Sequence, residues 1–218
     1  MIITIDGPSG VGKSTVSKSV ARKLGFTYLD TGAMYRAVAL RVKRDSIDIN
    51  DDKRLESLLN HTEIGFGRKE NGDLVIMLNN EDVTDKIRTP EVSRLSSDVA
   101  TKRTVRIKLV HLQQEMGKIG NLVAEGRDMG TYVFPDAAFK FYLDASLDER
   151  ARRRREQLSQ SGDDASIESV KNEIIKRDAQ DMERSESPLH PATNAVIIDT
   201  TNLSSDEVTD RIIKEVQG

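Results

Sequence analysis

Residues 7 to 15 read Gly-Pro-Ser-Gly-Val-Gly-Lys-Ser-Thr and follow directly on the apolar run Ile2-Ile3-Thr4-Ile5. Gly7, Gly12, Lys13 and Ser14 stand at the spacing of a G-x-x-x-x-G-K-[ST] phosphate-binding loop, with Pro8, Ser9, Gly10 and Val11 between the outer glycines and Thr15 after them. A buried strand is expected before the loop. A helix is expected after it, signalled by Val16, Val20, Ala21 and Leu24 and stopped by Gly25. Glycines let the backbone wrap an anion so that successive N–H groups point inward. The helix start adds its positive dipole end, Lys13 reaches the outer phosphates, and the Ser14 hydroxyl suits Mg²⁺. The alternative is a chance glycine-rich turn, but it leaves strand and helix on either side unexplained. The loop specifies a nucleoside triphosphate, not its use.

Further apolar runs at Thr27 to Leu29, Leu122 to Ala124, Phe139 to Leu143 and Ala195 to Ile198 alternate with helical patterns. They predict an α/β chain of the P-loop NTPase fold, a doubly wound five-stranded parallel sheet with ligands at the strands' carboxyl ends. Ser204 and Glu207 form a capping box for a last helix with a stripe of Val208, Ile212, Ile213 and Val216. Two stretches break the rhythm. Ile64, Phe66, Leu74, Ile76 and Leu78 alternate around the turn-like Glu70-Asn71-Gly72-Asp73, which predicts a half-exposed antiparallel β-hairpin insertion. Arg150 to Arg155 hold five arginines in six residues and lead into the polar run 159 to 164, as a movable helical lid would.

The 218 residues fit one domain or one core with small appendages. A net charge of −3 argues against a general nucleic-acid coat. Without cysteine there is neither a disulfide nor a Cys-based zinc site. No apolar stretch approaches the ~20 residues of a transmembrane helix. The chain opens on a core strand with no room for a signal peptide, so a cytoplasmic protein is expected. His61, His111 and His190 are scattered without ligand spacing and read as structural or surface residues. No Ser/His/Asp constellation is visible.

Three segments put functional groups where this fold would place a site. Asp30-Thr31-Gly32-Ala33-Met34-Tyr35-Arg36 follows the second strand, where Thr31-Gly32 could equally be helix capping. Glu125-Gly126-Arg127-Asp128 follows the third, where Asp128 could equally be a cap or turn residue. Arg177, Asp181 and Arg184 are spaced to share one face of a helix signalled by the apolar stripe Ile167, Val170, Ile174 and Ile175, and that face could equally be solvated. The arginine run could also be a nucleic-acid or localisation patch. A triphosphate cradle, arginines at strand ends and no evident general base suit phosphoryl transfer to an acceptor that is already anionic. A monophosphate, with second pKa near ~6, is such a nucleophile at neutral pH. A hydroxyl acceptor would favour a dedicated base.

The phosphate loop, the segment 30 to 36, Glu125 to Thr131 and the late Arg177-Asp178, Asp181 and Arg184 together resemble bacterial cytidylate kinases. The similarity runs over nearly the whole chain and includes Pro135-Asp136-Ala137 and the hairpin insertion. It implies a single P-loop kinase unit with a core of about 1–38, 84–148 and 166–218. A monophosphate-binding insertion of about 39–83 and a lid of about 149–165 complete it. The implied reaction transfers the γ-phosphoryl group of ATP, with Mg²⁺, to CMP or dCMP in pyrimidine nucleotide metabolism.

Position by position, the resemblance implies that Gly7 to Thr15 hold the ATP phosphates, with Lys13 catalytic and Ser14 on the metal. Glu125 stands where relatives have an Asp or Glu holding the metal's water shell. Arg36, Arg127 and Arg184 would grip the monophosphate and share in catalysis. Ser97, Arg106 and Asp128 would read cytosine, with Thr31 and Tyr35 lining the pocket. Asp128 is the discriminating group, since a carboxylate accepts from the exocyclic amine that uracil lacks. Arg177 and Asp181 would face the ribose. Arg150 to Arg155 would supply lid arginines, Arg154 among them as a catalytic residue. Partners are then small molecules, not nucleic acid or membrane, and a monomer is expected. Competing readings are an adenylate, thymidylate or shikimate kinase, or a nucleotide switch or RNA-binding module. The last lacks an Asn-Lys-x-Asp motif and a stacked aromatic platform.

Overall fold

A computed structural model describes residues 1–68, 74–160, 162 and 164–218. The expected hairpin turn at Glu70 to Asp73 lies outside the described residues, as do Ser161 and Asp163 of the polar run after the arginines. The chain divides into two compact units, residues 1–30 with 116–218, and residues 31–115.

The first unit is built on a parallel sheet of five strands in the order β2-β6-β1-β7-β8. These are β1 (Ile2–Asp6), β2 (Thr27–Asp30), β6 (Leu122–Gly126), β7 (Phe139–Asp144) and β8 (Val196–Asp199). With helices on both sides, this is the doubly wound sheet that the apolar runs predict. Ile3, Ile5, Leu29, Val123, Phe141, Leu143 and Ile198 are fully buried or nearly so, as strands covered on both faces require. Each strand runs one or two residues past its expected carboxyl end, and four of the five finish on aspartate. Hydrophobicity ends a strand at its last apolar side chain, whereas the ladder continues into the polar rim where ligands bind. Glu125 therefore lies inside β6 rather than closing it. The chain winds from β1 outward to β2, returns to β6, then crosses to β7 on the other side of β1. The topological switch point is thus the carboxyl end of β1, where the phosphate loop begins.

Helix α1 (Lys13–Leu24) ends as expected at Gly25, whose φ of 69° lets its N–H reach the carbonyls of Ala21 and Arg22. α1 packs on α8 (Ser205–Gln217), which starts with the expected Ser204/Glu207 capping box and buries Val208 and Ile212. α6 (Leu147–Gln160) and α7 (Ile167–Glu183) form a helix pair around Ala151, Leu158, Val170 and Ile174. Ile175, expected in that apolar stripe, faces outward instead.

The second unit holds α2 (Thr31–Arg44), α3 (Asp52–Asn60), α4 (Pro90–Val99) and most of α5 (Arg103–Gly117). Its sheet pairs β3 (Ile64–Arg68) with β4 (Leu74–Leu78) in antiparallel register, Phe66 opposite Ile76, as the hairpin pattern predicts. A two-residue strand β5 (Glu81–Asp82) makes it three-stranded. Val75 and Ile76 are both buried although they point to opposite faces, so β4 is covered more fully than simple alternation implies.

Gly7 tests the tightest point of the first unit. Its φ is 149°, and a Cβ there would lie 2.2 Å from the Leu143 carbonyl oxygen of the neighbouring strand β7. Gly7→Ala should cost about 3 kcal/mol or more, from strained backbone and overpacking together. A thermal scan should show a fall on the order of 10 °C for a chain of this size. A melting temperature within 2 °C of the parent would contradict this packing.

Candidate active site

The loop after β1 takes its shape from glycine and from contacts outside it. Gly7, Gly10 and Gly12 all have positive φ. Gly10 also lies too close to the Arg150 backbone for a side chain, since a Cβ would meet its carbonyl oxygen at 2.9 Å. The Ser9 N–H donates to the Asp178 carboxylate at 3.0 Å, and the Arg150 guanidinium donates to the Ser9 carbonyl at 3.1 Å. Arg150 and Asp178 also pair directly, with both side chains largely buried. Arg153 donates to the Val11 carbonyl at 3.2 Å and to the Thr200 carbonyl at 2.6 Å. Two of the five arginines expected in a movable lid thus brace the loop's backbone from behind. Arg152 pairs with Glu149 and Glu156, and Arg154 donates to Gln157 at 2.9 Å. The run lies along α6, and its charges are met mainly by neighbours on that helix and by loop carbonyls.

Lys13 is buried and donates to the Gly7 and Pro8 carbonyls, each at 2.7 Å. Burial pulls its pKa well down, and the charges of Arg127 and Arg177 add to that, against Glu125 and Asp178. Beside it, Asp30 and Glu125 are register partners on β2 and β6. Burial, then the Asp30 charge, holds the Glu125 carboxyl above its ordinary value, while Lys13, the Tyr28 hydroxyl and Ser14 oppose the shift. Tyr28 donates its hydroxyl to Glu125 in a close contact. Among the described residues no three His, Cys, Asp or Glu side chains converge to hold a metal. The histidines have local neighbours: His61 meets the Ser57 carbonyl, His111 Glu115, and His190 the Pro191 carbonyl.

The acid and arginine residues expected from the motifs of the first unit come together. Arg127 donates through Nε to Asp181 at 2.8 Å. Arg184 lies 3.6 Å from Asp181 and 3.8 Å from Asp128, and donates to the Ser187 carbonyl at 2.6 Å. Arg184 is the residue just after α7 rather than part of its helical face, with an extended backbone, φ −62° and ψ 141°. Burial works against the charged form of Arg127, yet Asp181 outweighs it and its pKa is raised. Burial likewise opposes ionisation of Asp181, and Arg127, Arg177 and Arg184 together hold its pKa low. Arg177, Asp181 and Arg184 are therefore linked electrostatically and do not form an ordinary solvated face.

The motif reading gives three residues of this cluster no role. Asp178 lies beside Arg177 but off the face it shares with Asp181. Tyr28 reads as a core aromatic of β2. Asp6, closing an apolar strand just ahead of the loop, carries the same signal that singles out Glu125. Its carboxylate accepts the Met129 and Gly130 N–H groups at 2.9 and 2.8 Å. Burial pushes its pKa up to about 6, helped by the Asp128 charge and opposed by those N–H groups and Lys13.

In the second unit, Thr31 is buried at the first position of α2, with Tyr35 and Arg36 one turn on and half-buried. Arg106 of α5 is buried with its guanidinium 5.9 Å from the centre of the Tyr35 ring, so these two come together. On α4 the Ser96 hydroxyl is turned back onto the Ser93 carbonyl at 2.7 Å, while Ser97 is half-buried.

Two outcomes check the first unit's electrostatics. Arg150→Met leaves a buried carboxylate without its ion partner and should destabilise the protein by about 3 kcal/mol, with Asp178→Leu added to it restoring part of the loss. Denaturant unfolding of the three proteins measures this, and a neutral Arg150→Met would exclude the brace. Asp6 titrates near 6 when folded and near 3.8 otherwise, so the native state takes up its proton first as pH falls. Ionised Asp6 thus costs stability above pH 6, and the cost is relieved between about 6 and 4. Relative to Asp6→Asn, the parent should gain on the order of 2–3 kcal/mol from pH 7.5 to pH 4. A pH-independent difference in unfolding free energy would contradict the shift.

Residues 3–218 match the family model described as cytidylate kinase. The chain is 46% identical over 212 residues to a cytidylate kinase of Caldicellulosiruptor bescii, covering 97% of this chain and 93% of that one. It is 47% identical over 216 residues to a cytidylate kinase of Syntrophotalea carbinolica, covering 99% and 92%. Among solved structures, an uncharacterized protein from Eubacterium ventriosum matches with a TM-score of 0.56 at 14% identity, covering 100% of this chain and 99% of that one. That likeness concerns the fold alone. With a phosphate loop at the switch point, an arginine and acid cluster beside it, and sequence agreement along almost its whole length, the chain belongs to the cytidylate kinase family.

Proposed function

We propose that this protein is an enzyme that transfers the γ-phosphoryl group of ATP to CMP or dCMP, giving ADP and CDP or dCDP. The observation that carries this reading is that Lys13 of the donor loop lies in the electrostatic field of Arg127 and Arg177. Those arginines belong to the same cluster as Asp128, Asp181 and Arg184. A cationic set built around a triphosphate loop, with a carboxylate suited to an exocyclic amine, fits a monophosphate acceptor bearing cytosine.

The chemistry asks little of the protein beyond position and charge. An oxygen of the CMP phosphate, already anionic at neutral pH, attacks the γ-phosphorus in line. The new P–O bond forms as the bond to the β–γ bridging oxygen breaks, and ADP leaves. The loop N–H groups of residues 7 to 15 hold the donor phosphates, and Lys13 leaves its two carbonyl contacts for the transferred group. Arg127 and Arg184 hold the acceptor phosphate, Arg177 and Asp181 the ribose, and Asp128 the cytosine amine. From the second unit, Thr31, Tyr35, Arg36, Ser97 and Arg106 are proposed CMP contacts, and Arg154 is the proposed lid arginine. With the Ser96 hydroxyl turned onto Ser93, Ser97 is the serine assigned to the base.

Mg²⁺ suits the residues present. Ser14 and Glu125 are hydroxyl and carboxylate donors, and a small divalent cation that keeps several waters prefers such oxygens. Glu125 is buried next to Asp30 with its pKa raised, which is the setting a cation would relieve. Bound there, the metal would neutralise charge on the β- and γ-phosphates. The reaction is assigned to a monomer in the cytoplasm, on small-molecule substrates.

Turnover of a panel of monophosphates with MgATP tests the substrate. CMP and dCMP should be used well, and robust AMP or UMP turnover without CMP turnover would overturn the assignment. Asp128→Ala should raise KM for CMP about tenfold with KM for ATP little changed. Equal losses on both substrates would count against base reading. Lys13→Ala should lower kcat on the order of 10²-fold or more, and a near-normal kcat would remove the loop from the catalytic account.

A further inference from the structure

Asp128 sits where a capping residue sits, yet it does not cap. It precedes the wide helical turn Met129–Val133 as its N-cap residue, with φ −145° and ψ 21°, and its side chain makes no capping hydrogen bond. Aspartate is among the residue types that most often supply that bond themselves. Here the bond comes from elsewhere in the chain. The first two N–H groups of the turn, those of Met129 and Gly130, donate to the Asp6 carboxylate. The Asp128 backbone carbonyl still accepts from Tyr132 and Val133, so the turn closes normally. The Asp128 carboxylate is instead buried on the side of Arg184, 3.8 Å away.

The position of Asp6 is fixed independently of that turn. It ends the central strand, in register with Gly126 on β6 and Tyr142 on β7, and is itself buried. Gly130 comes so close that a Cβ there would meet the Thr4 hydroxyl at 2.9 Å and the Asp6 carboxylate at 3.4 Å. Buried N–H groups demand an acceptor. With Asp6 removed, the acceptor next to them in the chain is the carboxylate of Asp128, in the role its position would ordinarily give it.

We propose that Asp6 is a specificity-positioning residue. By capping the turn in place of Asp128, it keeps the Asp128 carboxylate out of the capping role and directed to the base of the acceptor. This rests on the reading of Asp128 as the group that meets the cytosine amine. Asp6 touches neither substrate in this account, and its effect falls on the acceptor although it directly precedes the donor loop.

The test measures kcat and KM for CMP, UMP and MgATP in the full-length protein and in Asp128→Ala, Asp6→Asn and the double variant. Asn keeps one acceptor oxygen but cannot serve both N–H groups. Asp6→Asn should lower kcat/KM for CMP about tenfold and lower the CMP-to-UMP preference with it, with KM for MgATP held within about twofold. The double variant should show no less preference for CMP over UMP than Asp128→Ala alone, because Asp6 acts through Asp128. An unchanged CMP-to-UMP preference in folded Asp6→Asn would overturn the proposal. So would a rise in KM for MgATP matching that for CMP, or losses that multiply in the double variant. If Asp128→Ala alone leaves the preference intact, the base-reading assignment fails and takes the proposal with it. Should Asp6→Asn not fold, Asp6→Glu keeps the charge but displaces the turn. A reduced CMP-to-UMP preference then supports the proposal and an unchanged one overturns it.

Discussion

The backbone of the phosphate loop is held in a conformation it would not adopt alone, and the site of the first unit is arranged around that grip. Three glycines at positive φ provide the path, and the Leu143 carbonyl beneath Gly7 leaves no room for a side chain. From behind, Asp178 accepts the Ser9 N–H while Arg150 and Arg153 donate to the Ser9 and Val11 carbonyls. An anion-binding loop has its N–H groups directed at the ligand, so its carbonyls must face the other way. Those carbonyls need donors, and guanidinium groups supply several in a fixed geometry. Arg150 and Arg153 of α6 thereby help to fix the path of the loop's backbone.

Because Asp178 lies on α7, the same helix that carries Arg177 and Asp181 also fixes the donor loop. The buried charges are held together by mutual contact, but not evenly. Lys13 is left with its pKa depressed by burial and by two arginines, and Glu125 with its own raised by burial and by Asp30. Both shifts are in the direction of neutralisation. An anion brought beside the lysine, or a cation beside the carboxylates, would reverse these shifts. Pre-placed charges of this kind stabilise a transferring phosphoryl group without reorganising during the step.

Much of this was legible in the sequence because local rules governed it. Apolar runs located all five parallel strands, Gly25 ended α1, and Ser204 with Glu207 began α8. The motifs containing Arg127, Asp128, Asp181 and Arg184 identified side chains that do converge. What was missed is long-range. The strands' last residues were lost because the carboxyl rim of a parallel sheet is polar. Ile175 reads as part of an apolar stripe whose width only the packed partner decides. The brace role of Arg150 and Arg153 depends on carbonyls some 140 positions away. Charge in a run of arginines reads the same whether it meets solvent, nucleic acid or a loop.

Asp128 shows why such a residue defeats local reading even when it is noticed. An aspartate before a helical turn has two uses, to satisfy the turn's own N–H groups or to point elsewhere, and nothing within several residues of it chooses between them. The choice is made by whether another acceptor already occupies those N–H groups. In this protein the acceptor is Asp6, separated from the turn by more than a hundred residues and brought beside it only by the parallel pairing of β1 with β6. The sheet therefore does more than carry the site at its rim. By setting the register of its central strand it determines which carboxylate accepts from the turn and which one lies beside Arg184.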